Sequence, residues 1–331
     1  MIISRTPFRI SLFGGGTDYP AWFSQHGGAV IGTTIDKYCY ISVRGLPPFF
    51  EYRHRIVYSK IELVHTLAEI QHPAVRGVLS EMGVEQGLEI HHDADLPARS
   101  GLGSSSSFTV GLLNALYALR GHMVAKLELA QQAIHIEQDV LKEAVGCQDQ
   151  VWAAYGGFNR IDFLPGGSFQ VTPVMLPPDR RAELHRSMMM FFTGFPRDAS
   201  VIAREQIDNV GRSAGQLTAM RDMVDRALEI LRDERSSIRE LGALMKESWR
   251  LKRELAAAVS TPAIDEIHDA AIAAGALGGK LLGAGGGGFI LFLVEPGKQE
   301  RVRERLKHLI EVSFAFEHEG SKIALYQPNG L

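Results

Sequence analysis

Residues 97–119, PARSGLGSSSSFTVGLLNALYAL, hold the pattern on which the fold assignment depends. The segment Leu88 to His92 before them reads as a strand, and an apolar helical run follows the serines. Gly101 and Gly103 would let the backbone approach an anion closely, and the N–H groups and dipole of a helix N-terminus attract negative charge. The segment therefore predicts a phosphate-binding loop. A serine-rich helix cap with close packing is the alternative.

Better-known glycine motifs do not fit the chain. A dinucleotide-binding fingerprint would need glycine where Ser106 stands, and a nucleophile elbow would need glycine on both sides of its serine. Gly279-Lys280 resembles a fragment of Walker A, but that motif would need glycine at Ala274 and a hydroxyl at Leu281. These mismatches exclude the common nucleotide and hydrolase motifs.

The order of elements predicts the α+β class. Strands dominate the first 60 residues, and helices and strands are mixed afterwards without a regular βαβ alternation. With 331 residues, of which 45% are apolar and 22% charged, the chain is long enough for two domains. We place the boundary at Pro177-Pro178, so the predicted domains are residues 1–177, with the phosphate loop, and residues 178–331.

The hydrophobic pattern also assigns individual elements. Phe49 to Ser59 reads as a strand, and Lys126 to Ala144 reads as a continuous helix after the phosphate loop helix. Near the end of the chain, Gln299 to Ile310 reads as a helix. Each of these assignments predicts the residue at which an element begins and the residue at which it ends.

Composition excludes several classes of protein. The chain has 35 Lys and Arg against 38 Asp and Glu, a net charge of −3, so no basic field predicts a nucleic-acid or membrane partner. Cys39 and Cys147 are too few for a disulfide scaffold or a cysteine-ligated zinc site and are typical of a reducing compartment. Arg5 and Arg9 follow few apolar residues, and no uncharged apolar run could span a bilayer. We expect a cytoplasmic protein.

One acidic residue interrupts an apolar helical stripe. Ala130, Ile134, Glu137, Leu141 and Ala144 recur at helical spacing, which places Glu137 on the inward face. A carboxylate buried alone costs several kcal/mol or takes up a proton, so it needs a cation or a dense set of donors. Mg²⁺ beside a nucleotide and a salt bridge to a core arginine are both open.

A second acidic residue lies among small and apolar neighbours. Asp149 occurs in the segment GCQDQVWAAYGG, where a solvated surface would show more charge. An aspartate there can orient a hydroxyl or take its proton, and an arginine such as Arg9 would keep it ionised. An aspartate that caps a short helix is the alternative.

Glycine clusters flank polar residues at both ends of the chain. Residues 8–19, FRISLFGGGTDY, end a strand in three glycines and then offer Asp18, which can accept two sugar hydroxyls. Residues 280–289, KLLGAGGGGF, have more glycine than a turn needs, which favours close approach to a ligand or another loop. A capped turn and a flexible hairpin tip are the respective alternatives.

These three segments, in this order, resemble the GHMP kinase superfamily, which includes galactokinase, homoserine kinase, mevalonate kinase and phosphomevalonate kinase. The first motif of that family corresponds to Arg9 through Tyr19, the second to Pro97 through Ser107, and the third to Lys280 through Phe289. The resemblance covers nearly the whole chain. It implies a two-domain fold, with an N-terminal domain like domain 2 of ribosomal protein S5 and a C-terminal ferredoxin-like domain, and ATP and substrate between them.

The resemblance also implies roles for individual residues. Asp149 would be the catalytic aspartate, paired with Arg9, whereas Ser105 and Glu137 would hold Mg²⁺. The nucleotide would contact the second and third motifs, at Pro97, Arg99, Ser100, Gly101, Leu102, Gly103, Ser104, Ser105, Ser106, Ser107, Gly283, Gly285 and Gly286. The sugar would contact the first motif, at Gly15, Gly16, Thr17, Asp18 and Tyr19. Glycines 283 to 288 would brace the phosphate loop.

A narrower resemblance concerns the substrate. The stretches GGGTDYP, HGGAVIGTTIDKY and EYRHRIVYSKIE are similar to the D-glycero-D-manno-heptose 7-phosphate 1-kinase branch, with the kinase domain of fucokinases nearby. That branch implies ATP-dependent synthesis of heptose 1,7-bisphosphate for GDP-heptose and surface polysaccharide. Arg53 and Arg55 would contact the phosphate of the substrate, and a solvated basic strand is the alternative. Galactokinases have a Glu-His pair where this chain has Gly15-Gly16, which argues against galactose.

Three other functions remain open at this point. One is a fucokinase-like or other sugar 1-kinase, since similar hydroxyls would meet Asp18. Another is a catalytically silent sugar or nucleotide sensor, against which the intact Asp149, Glu137 and Ser105 argue. The third is a decarboxylase like the diphosphomevalonate branch of the family, which would need a carboxylate substrate. The oligomeric state is open as well.

Overall fold

The computed structural model describes residues 1–98, 100–195 and 199–328. Its strands are β1 (Ile2–Phe13), β2 (Gly28–Gly45), β3 (His54–Val57), β4 (Ile61–Val64), β5 (Leu88–Ala94), β6 (Phe158–Phe163), β7 (Phe169–Pro173), β8 (Met188–Phe192), β9 (Gly278–Leu281), β10 (Phe289–Leu293), β11 (Ile310–Glu311), β12 (Phe316–Glu317) and β13 (Lys322–Tyr326). Its helices are α1 (Pro20–His26), α2 (Pro73–Glu81), α3 (Ser104–Leu119), α4 (Lys126–His135), α5 (Gln148–Tyr155), α6 (Pro178–Arg186), α7 (Ala199–Asp208), α8 (Ala214–Arg232), α9 (Ile238–Leu255), α10 (Pro262–Ala274) and α11 (Gln299–Arg305).

The first sheet is built around two long antiparallel strands. Among the described residues, its strand order is β13-β1-β2-β5-β3-β4, and β6 and β12 also pair with β2. The last eight residues of β1 are all buried, which is expected of a strand covered on both faces. A register shift between Ser11 and Phe13 bends the end of β1 where the first glycine motif begins.

The second sheet confirms the expected ferredoxin-like part. In the described residues its order is β11-β8-β10-β9, and all pairs are antiparallel. The succession is βαββαβ, with α7 to α10 in the first crossover and α11 in the second. Its two inner strands, β8 and β10, are short apolar runs, and every residue of β10 is buried.

The two parts meet at the first glycine motif. A side chain at Gly14 would collide with Val224 of α8, and one at Gly16 would touch Leu217 of α8 and Leu255 of α9. Strands β12 and β13 return to the first sheet after the second sheet is complete. The division at residues 177 and 178 stays a prediction, and the α+β class and the two kinds of domain are confirmed.

Three boundary predictions were wrong. The helix predicted to reach Ala144 changes to a π-helical turn at Ile136–Val140 and ends there, before Lys142 in a left-handed conformation with φ 57°. The strand predicted over residues 49–59 is confined to β3, and Phe49 is exposed before it. The helix predicted to reach Ile310 stops at Arg305, because residue 310 pairs with β8 instead.

Two expectations from composition can be compared with the structure. Cys39 and Cys147 are free, buried thiols, as expected of packed cysteines. Over the described residues, no helix has the length and apolar character needed to cross a membrane.

Candidate functional site

The second motif forms a tight loop at the start of α3. Gly101 and Gly103 have φ values of 90° and 77°, a left-handed conformation that favours glycine. The Ser107 N–H donates to the Gly103 carbonyl at 2.9 Å, so the amides before Ser107 are not used by α3 itself. The first turn of α3 contains no acidic residue. The loop thus offers N–H donors and a positive helix end to an anion.

Contacts from both sheets hold this loop. The Arg9 amide donates to the Leu102 carbonyl at 3.0 Å, and the Arg9 guanidinium donates to the Gly101 carbonyl at 2.6 Å. From the second sheet, the Phe289 amide donates to the Ser100 carbonyl at 3.0 Å. Any side chain at Gly288 would collide with the Ser100 backbone. The loop is therefore fixed between β1 and the third motif.

The four serines of the loop face different directions. Ser106 and Ser107 are buried; Ser106 donates to the Glu137 carboxylate at 2.8 Å, and Ser107 donates to the Pro7 carbonyl at 2.9 Å. Ser104 is half-buried and Ser105 is exposed. The structure therefore brings Ser106, and not the predicted Ser105, into contact with Glu137.

Glu137 confirms the inward position expected from the helical stripe. It is fully buried at 0% exposure, and its Oε2 accepts hydrogen bonds from Ser106 and Gln150. Its Oε1 has no hydrogen-bond donor among the described residues. Burial raises the pKa of Glu137 to about 8, and the nearby Glu143 adds to that shift. A buried carboxyl with an unused oxygen is suited to receive a cation.

Asp149 and Arg9 form a two-pronged ion pair. Arg9 Nε donates to one carboxylate oxygen at 2.7 Å, and Nη2 donates to the other at 2.8 Å. Arg9 is buried, whereas the side chain of Asp149 is 25% exposed in the first turn of α5. The pair packs against Gly103, where an added Cβ would lie 3.4 Å from both side chains. The predicted pairing is thus present, beside the phosphate loop.

Asp18 is not an open acceptor in this structure. It is buried, and its two oxygens accept hydrogen bonds from the amides of Gly16, at 2.9 Å, and Gln148, at 3.3 Å. Burial raises its pKa, and the charge of Asp149 adds to that effect. Asp18 thus ties the first glycine motif to the start of α5, one residue from the catalytic candidate.

The other first-motif residues serve the turn itself. The Thr17 hydroxyl is buried, accepts a hydrogen bond from the Ala29 amide and lies within 2.9 Å of two carbonyl oxygens. Tyr19 is buried at the start of α1. An added Cβ at Gly15 would meet only the Ser11 hydroxyl and the Gln148 amide, at 3.5 and 3.6 Å. The space above Gly15 therefore lies beside a hydroxyl and a side-chain amide, two groups that could bind a sugar hydroxyl.

Residues of the third motif differ in what they contact. Gly285 and Gly286 pack on Val259, whose carbonyl accepts the Gly286 amide at 2.9 Å. The carbonyl of Gly283 accepts a hydrogen bond from Lys252. Contact with the phosphate loop comes from Gly288 and the residue after it.

The remaining predicted site residues lie elsewhere or outside the description. Arg55 pairs with Glu89 at 3.3 Å, and Arg53 donates to the Glu85 carbonyl, so both are held by the β3 and β5 region. Pro97 lies in the loop between β5 and α3. Arg99 lies outside the described residues. The substrate-phosphate role of Arg53 and Arg55 stays a prediction.

Sequence reasoning missed several residues of the site. Gln150 donates to Glu137, and Gly146 leaves room for Asp18, because any side chain at residue 146 would collide with that carboxylate. Both lie within four residues of Asp149, so the GCQDQ segment offered a signal. Lys280 is buried, with its ammonium against β1, and only its place at the start of the third motif marked it.

The arrangement fits a magnesium nucleotide. Oxygen donors are available at Glu137, and a glycine loop at a helix start can receive phosphates. Among the described residues, no group of three or more His, Cys, Asp or Glu side chains could hold a metal ion. Mg²⁺ beside a nucleotide is usually held by one or two carboxylates together with phosphate oxygens. The residues present are compatible with that form of binding.

Two family models match the chain. The model described as GHMP kinases N terminal domain matches residues 63–157, and the model described as GHMP kinases C terminal matches residues 226–311. The first match contains the phosphate loop, Glu137 and Asp149, and the second contains the third motif.

Relatives and solved structures agree with these models. The chain is 27% identical to a D-glycero-alpha-D-manno-heptose 7-phosphate kinase of Campylobacter jejuni, over 97% of this chain and 98% of that protein. It is 30% identical to a mevalonate kinase of Pyrococcus horikoshii, over 71% and 67%. A solved structure described as a D-glycero-D-manno-heptose 1-phosphate kinase from Bacteroides thetaiotaomicron superposes with a TM-score of 0.81 at 24% identity, covering 99% and 100%. That last similarity concerns the fold.

Proposed function

The chain belongs to the GHMP kinase family, and on that premise we propose that it is an ATP-dependent sugar 1-kinase acting on D-glycero-D-manno-heptose 7-phosphate. The product would be heptose 1,7-bisphosphate, an intermediate for GDP-heptose and surface polysaccharide. Similarity over 97% of the chain to a heptose 7-phosphate kinase supports this substrate. Gly15-Gly16, in place of the Glu-His pair of galactokinases, supports a sugar other than galactose.

The Arg9 and Asp149 pair is the observation on which the proposal mainly rests. Arg9 contacts both the carboxylate of Asp149 and the Gly101 carbonyl of the phosphate loop. One side chain therefore links the proposed position of the sugar, at Asp149, to the proposed position of ATP, at the phosphate loop. Phosphoryl transfer depends mainly on positioning and charge neutralisation, and this pair supplies both.

The chemical step is an in-line transfer. The anomeric oxygen of the sugar forms a bond to the γ-phosphorus of ATP while the bond to the ADP oxygen breaks, and the hydroxyl proton leaves through the hydrogen bond to Asp149. Arg9 holds the carboxylate in place and offsets negative charge beside the phosphate loop. Amides of the loop and the start of α3 receive the phosphate oxygens.

Glu137 would hold the magnesium ion that accompanies ATP, and Ser105 is proposed as the second ligand. When bound, the ion would neutralise charge on the phosphates. Ser106 and Gln150 fix the orientation of the Glu137 carboxylate, so its unused oxygen has a defined place. Ser105, exposed in the same helical turn, is accessible to a nucleotide.

Asp18 would support the sugar indirectly. Because its oxygens accept the Gly16 and Gln148 amides, it fixes the backbone of the first motif next to Asp149. The sugar would then lie against Gly15 and the side chains around it.

ADP release with Mg-ATP tests the proposal. The acceptors are D-glycero-D-manno-heptose 7-phosphate, L-fucose, galactose, mannose and mevalonate, and Asp149→Asn serves as the inactive reference. We expect turnover with the heptose phosphate and little with the other acceptors.

Other outcomes of this assay have distinct meanings. Turnover with free fucose or galactose alone would keep a sugar kinase and discard the heptose phosphate. Release of ADP only with a carboxylate acceptor would favour mevalonate or decarboxylase chemistry. Silence with every acceptor would contradict a kinase and favour a sensor.

A further inference from the structure

Lys280 is a buried cation that crosses from one sheet to the other. It lies on β9 of the second sheet and is only 3% exposed. Its ammonium donates to the carbonyls of Ser11, at 3.0 Å, and Leu12, at 2.9 Å, both at the end of β1. In the described residues no carboxylate pairs with Lys280, and the charge felt most strongly there is that of Arg9.

The two acceptor carbonyls occupy the irregular end of β1. In the pairing with β2, Ser11 lies opposite Gly32 and Phe13 opposite Ile31, so Leu12 has no partner of its own. A bulge of this kind leaves backbone groups that the ladder does not satisfy. Lys280 supplies the donor for both carbonyls. The first carbonyl lies two residues after Arg9, and the second lies two residues before Gly14, where the glycines of the first motif begin.

The contacts around Lys280 connect the end of β1 to the phosphate loop. Lys280 pairs with Leu291 of β10, the strand whose first residue, Phe289, donates to the Ser100 carbonyl. The phosphate loop in turn accepts hydrogen bonds from Arg9, which lies on the strand that Lys280 holds. The same part of the second sheet therefore fixes both the phosphate loop and the bulged strand end.

An ammonium is an expensive way to fill a buried position. Removing it from water without a counter-charge costs free energy, and a long apolar side chain would avoid that cost. The burial and the charge of Arg9 lower the pKa of Lys280 to about 7. A buried ammonium that lowers the stability of the fold is better explained by the groups it holds in place than by a contribution to folding.

We propose that Lys280 is a positioning residue for the transfer: it fixes the bulged end of β1, and through it Arg9, Asp149 and the first glycine motif relative to the phosphate loop. This inference concerns a buried residue whose ammonium contacts backbone carbonyls. Its consequence for turnover rests on the proposed function, whereas its consequence for β1 does not.

Lys280→Met tests the inference, because methionine fills the space and removes the donors together with the charge. We expect kcat to fall about 10- to 100-fold, since small misplacements of reacting groups have effects of that size. The affinity for Mg-ATP should stay within about threefold. The melting temperature should fall by only a few degrees, because two carbonyls lose their donor while the cost of burying an ammonium disappears. Hydrogen exchange of the amides in residues 9–19 should become faster, which can be measured without any substrate.

Arg180→Met is the matched control. Arg180 is also a buried cation. It donates to the backbone carbonyl of Ile230 and pairs with Glu183, and neither partner belongs to the candidate site. We expect full turnover and unchanged exchange in residues 9–19 for this variant. Should Lys280→Met fail to fold, Lys280→Gln enters the same comparison.

Two results would overturn the inference. One is unchanged kcat together with unchanged exchange in residues 9–19. The other is a loss of kcat that only parallels a loss of melting temperature, which would make Lys280 a packing residue. If the wild-type protein turned over no sugar, the proposed function would fail and the exchange measurement alone would decide the role of Lys280.

Discussion

Two carboxyl groups of the site, Asp149 and Glu137, lie in opposite surroundings. Asp149 is 25% exposed at the start of a helix, and its carboxylate accepts hydrogen bonds from Nε and Nη2 of Arg9. Glu137 is fully buried in a π-helical turn, receives only neutral donors and has a pKa raised to about 8 by burial.

The difference teaches how one chemical group can serve two roles. A carboxylate that already has a cation and an open side can orient an acceptor hydroxyl without rearrangement. A buried carboxyl with a spare oxygen and no cation gains most when a metal ion arrives. We therefore assign the acceptor to Asp149 and the metal to Glu137, and each prediction below tests that division.

The largest effect is expected for Asp149→Asn. We predict a loss of kcat of about 10³-fold, because the amide cannot accept the proton or the Arg9 fork in the same way. The affinity for Mg-ATP, measured by calorimetry, should change less than about threefold. Asp162→Asn is a close control, since Asp162 is 26% exposed and also pairs with an arginine: Nε of Arg160 donates to both of its oxygens, and Nη2 lies 2.8 Å from one of them. A wild-type kcat in Asp149→Asn would contradict the catalytic role of Asp149.

A smaller loss is expected for Arg9→Lys. Lysine keeps the charge but cannot make two hydrogen bonds to Asp149 and one to the Gly101 carbonyl at the same time. We therefore predict a loss of kcat of about 10²-fold. Steady-state kinetics at saturating sugar and ATP provide the measurement. Arg160→Lys, the same exchange in a similar pair outside the site, should retain full turnover. Equal losses in the two variants would contradict a specific role for Arg9.

Glu137→Gln should affect the binding of ATP more than it affects the acceptor sugar. We predict an approximately tenfold weaker affinity for ATP in the presence of Mg²⁺, and no change without the metal, because only the charged oxygen is lost. Glu62→Gln provides the same exchange at another buried carboxyl, which accepts the amides of Gln71 and His72. Equal weakening with and without Mg²⁺ would place Glu137 outside the metal site.

The last prediction concerns the pH dependence of the stability of the metal-free protein. Since the pKa of Glu137 is raised to about 8 from 4.5, the folded state holds a proton that the unfolded state has lost across that interval. The contribution of Glu137 is therefore complete below about pH 4.5 and is lost as the pH rises towards 8, by about 1 kcal/mol per pH unit. Denaturant unfolding should show a steeper fall with pH in wild type than in Glu137→Gln, because the variant keeps only the contribution of other groups such as Asp18, whose pKa burial also raises. Parallel curves would argue against the raised pKa of Glu137.

Much of this division could be predicted from the sequence. Glycines before a helix predicted the tight loop at the start of α3, and helical spacing placed Glu137 inward even though the turn around it is π-helical. Patterns of this kind depend on local geometry, so they survive small irregularities.

The finer contacts could not be predicted. A shift of one residue turns a helical side chain by about 100°, so the sequence alone did not distinguish Ser105 from Ser106 as the partner of Glu137. Asp18 accepts the Gln148 amide, and Lys280 donates to carbonyls at the end of β1. These partners are distant in sequence, so such contacts depend on how separate parts of the chain meet. Local patterns hold no information about that meeting.

Phosphorus NMR of the wild-type reaction with Mg-ATP and D-glycero-D-manno-heptose 7-phosphate tests the central claim most directly. The account predicts one new phosphate signal, coupled to the anomeric proton, while the 7-phosphate signal persists and ADP appears in equal amount. A new phosphate at any other carbon, or ADP without a phosphorylated sugar, would contradict it.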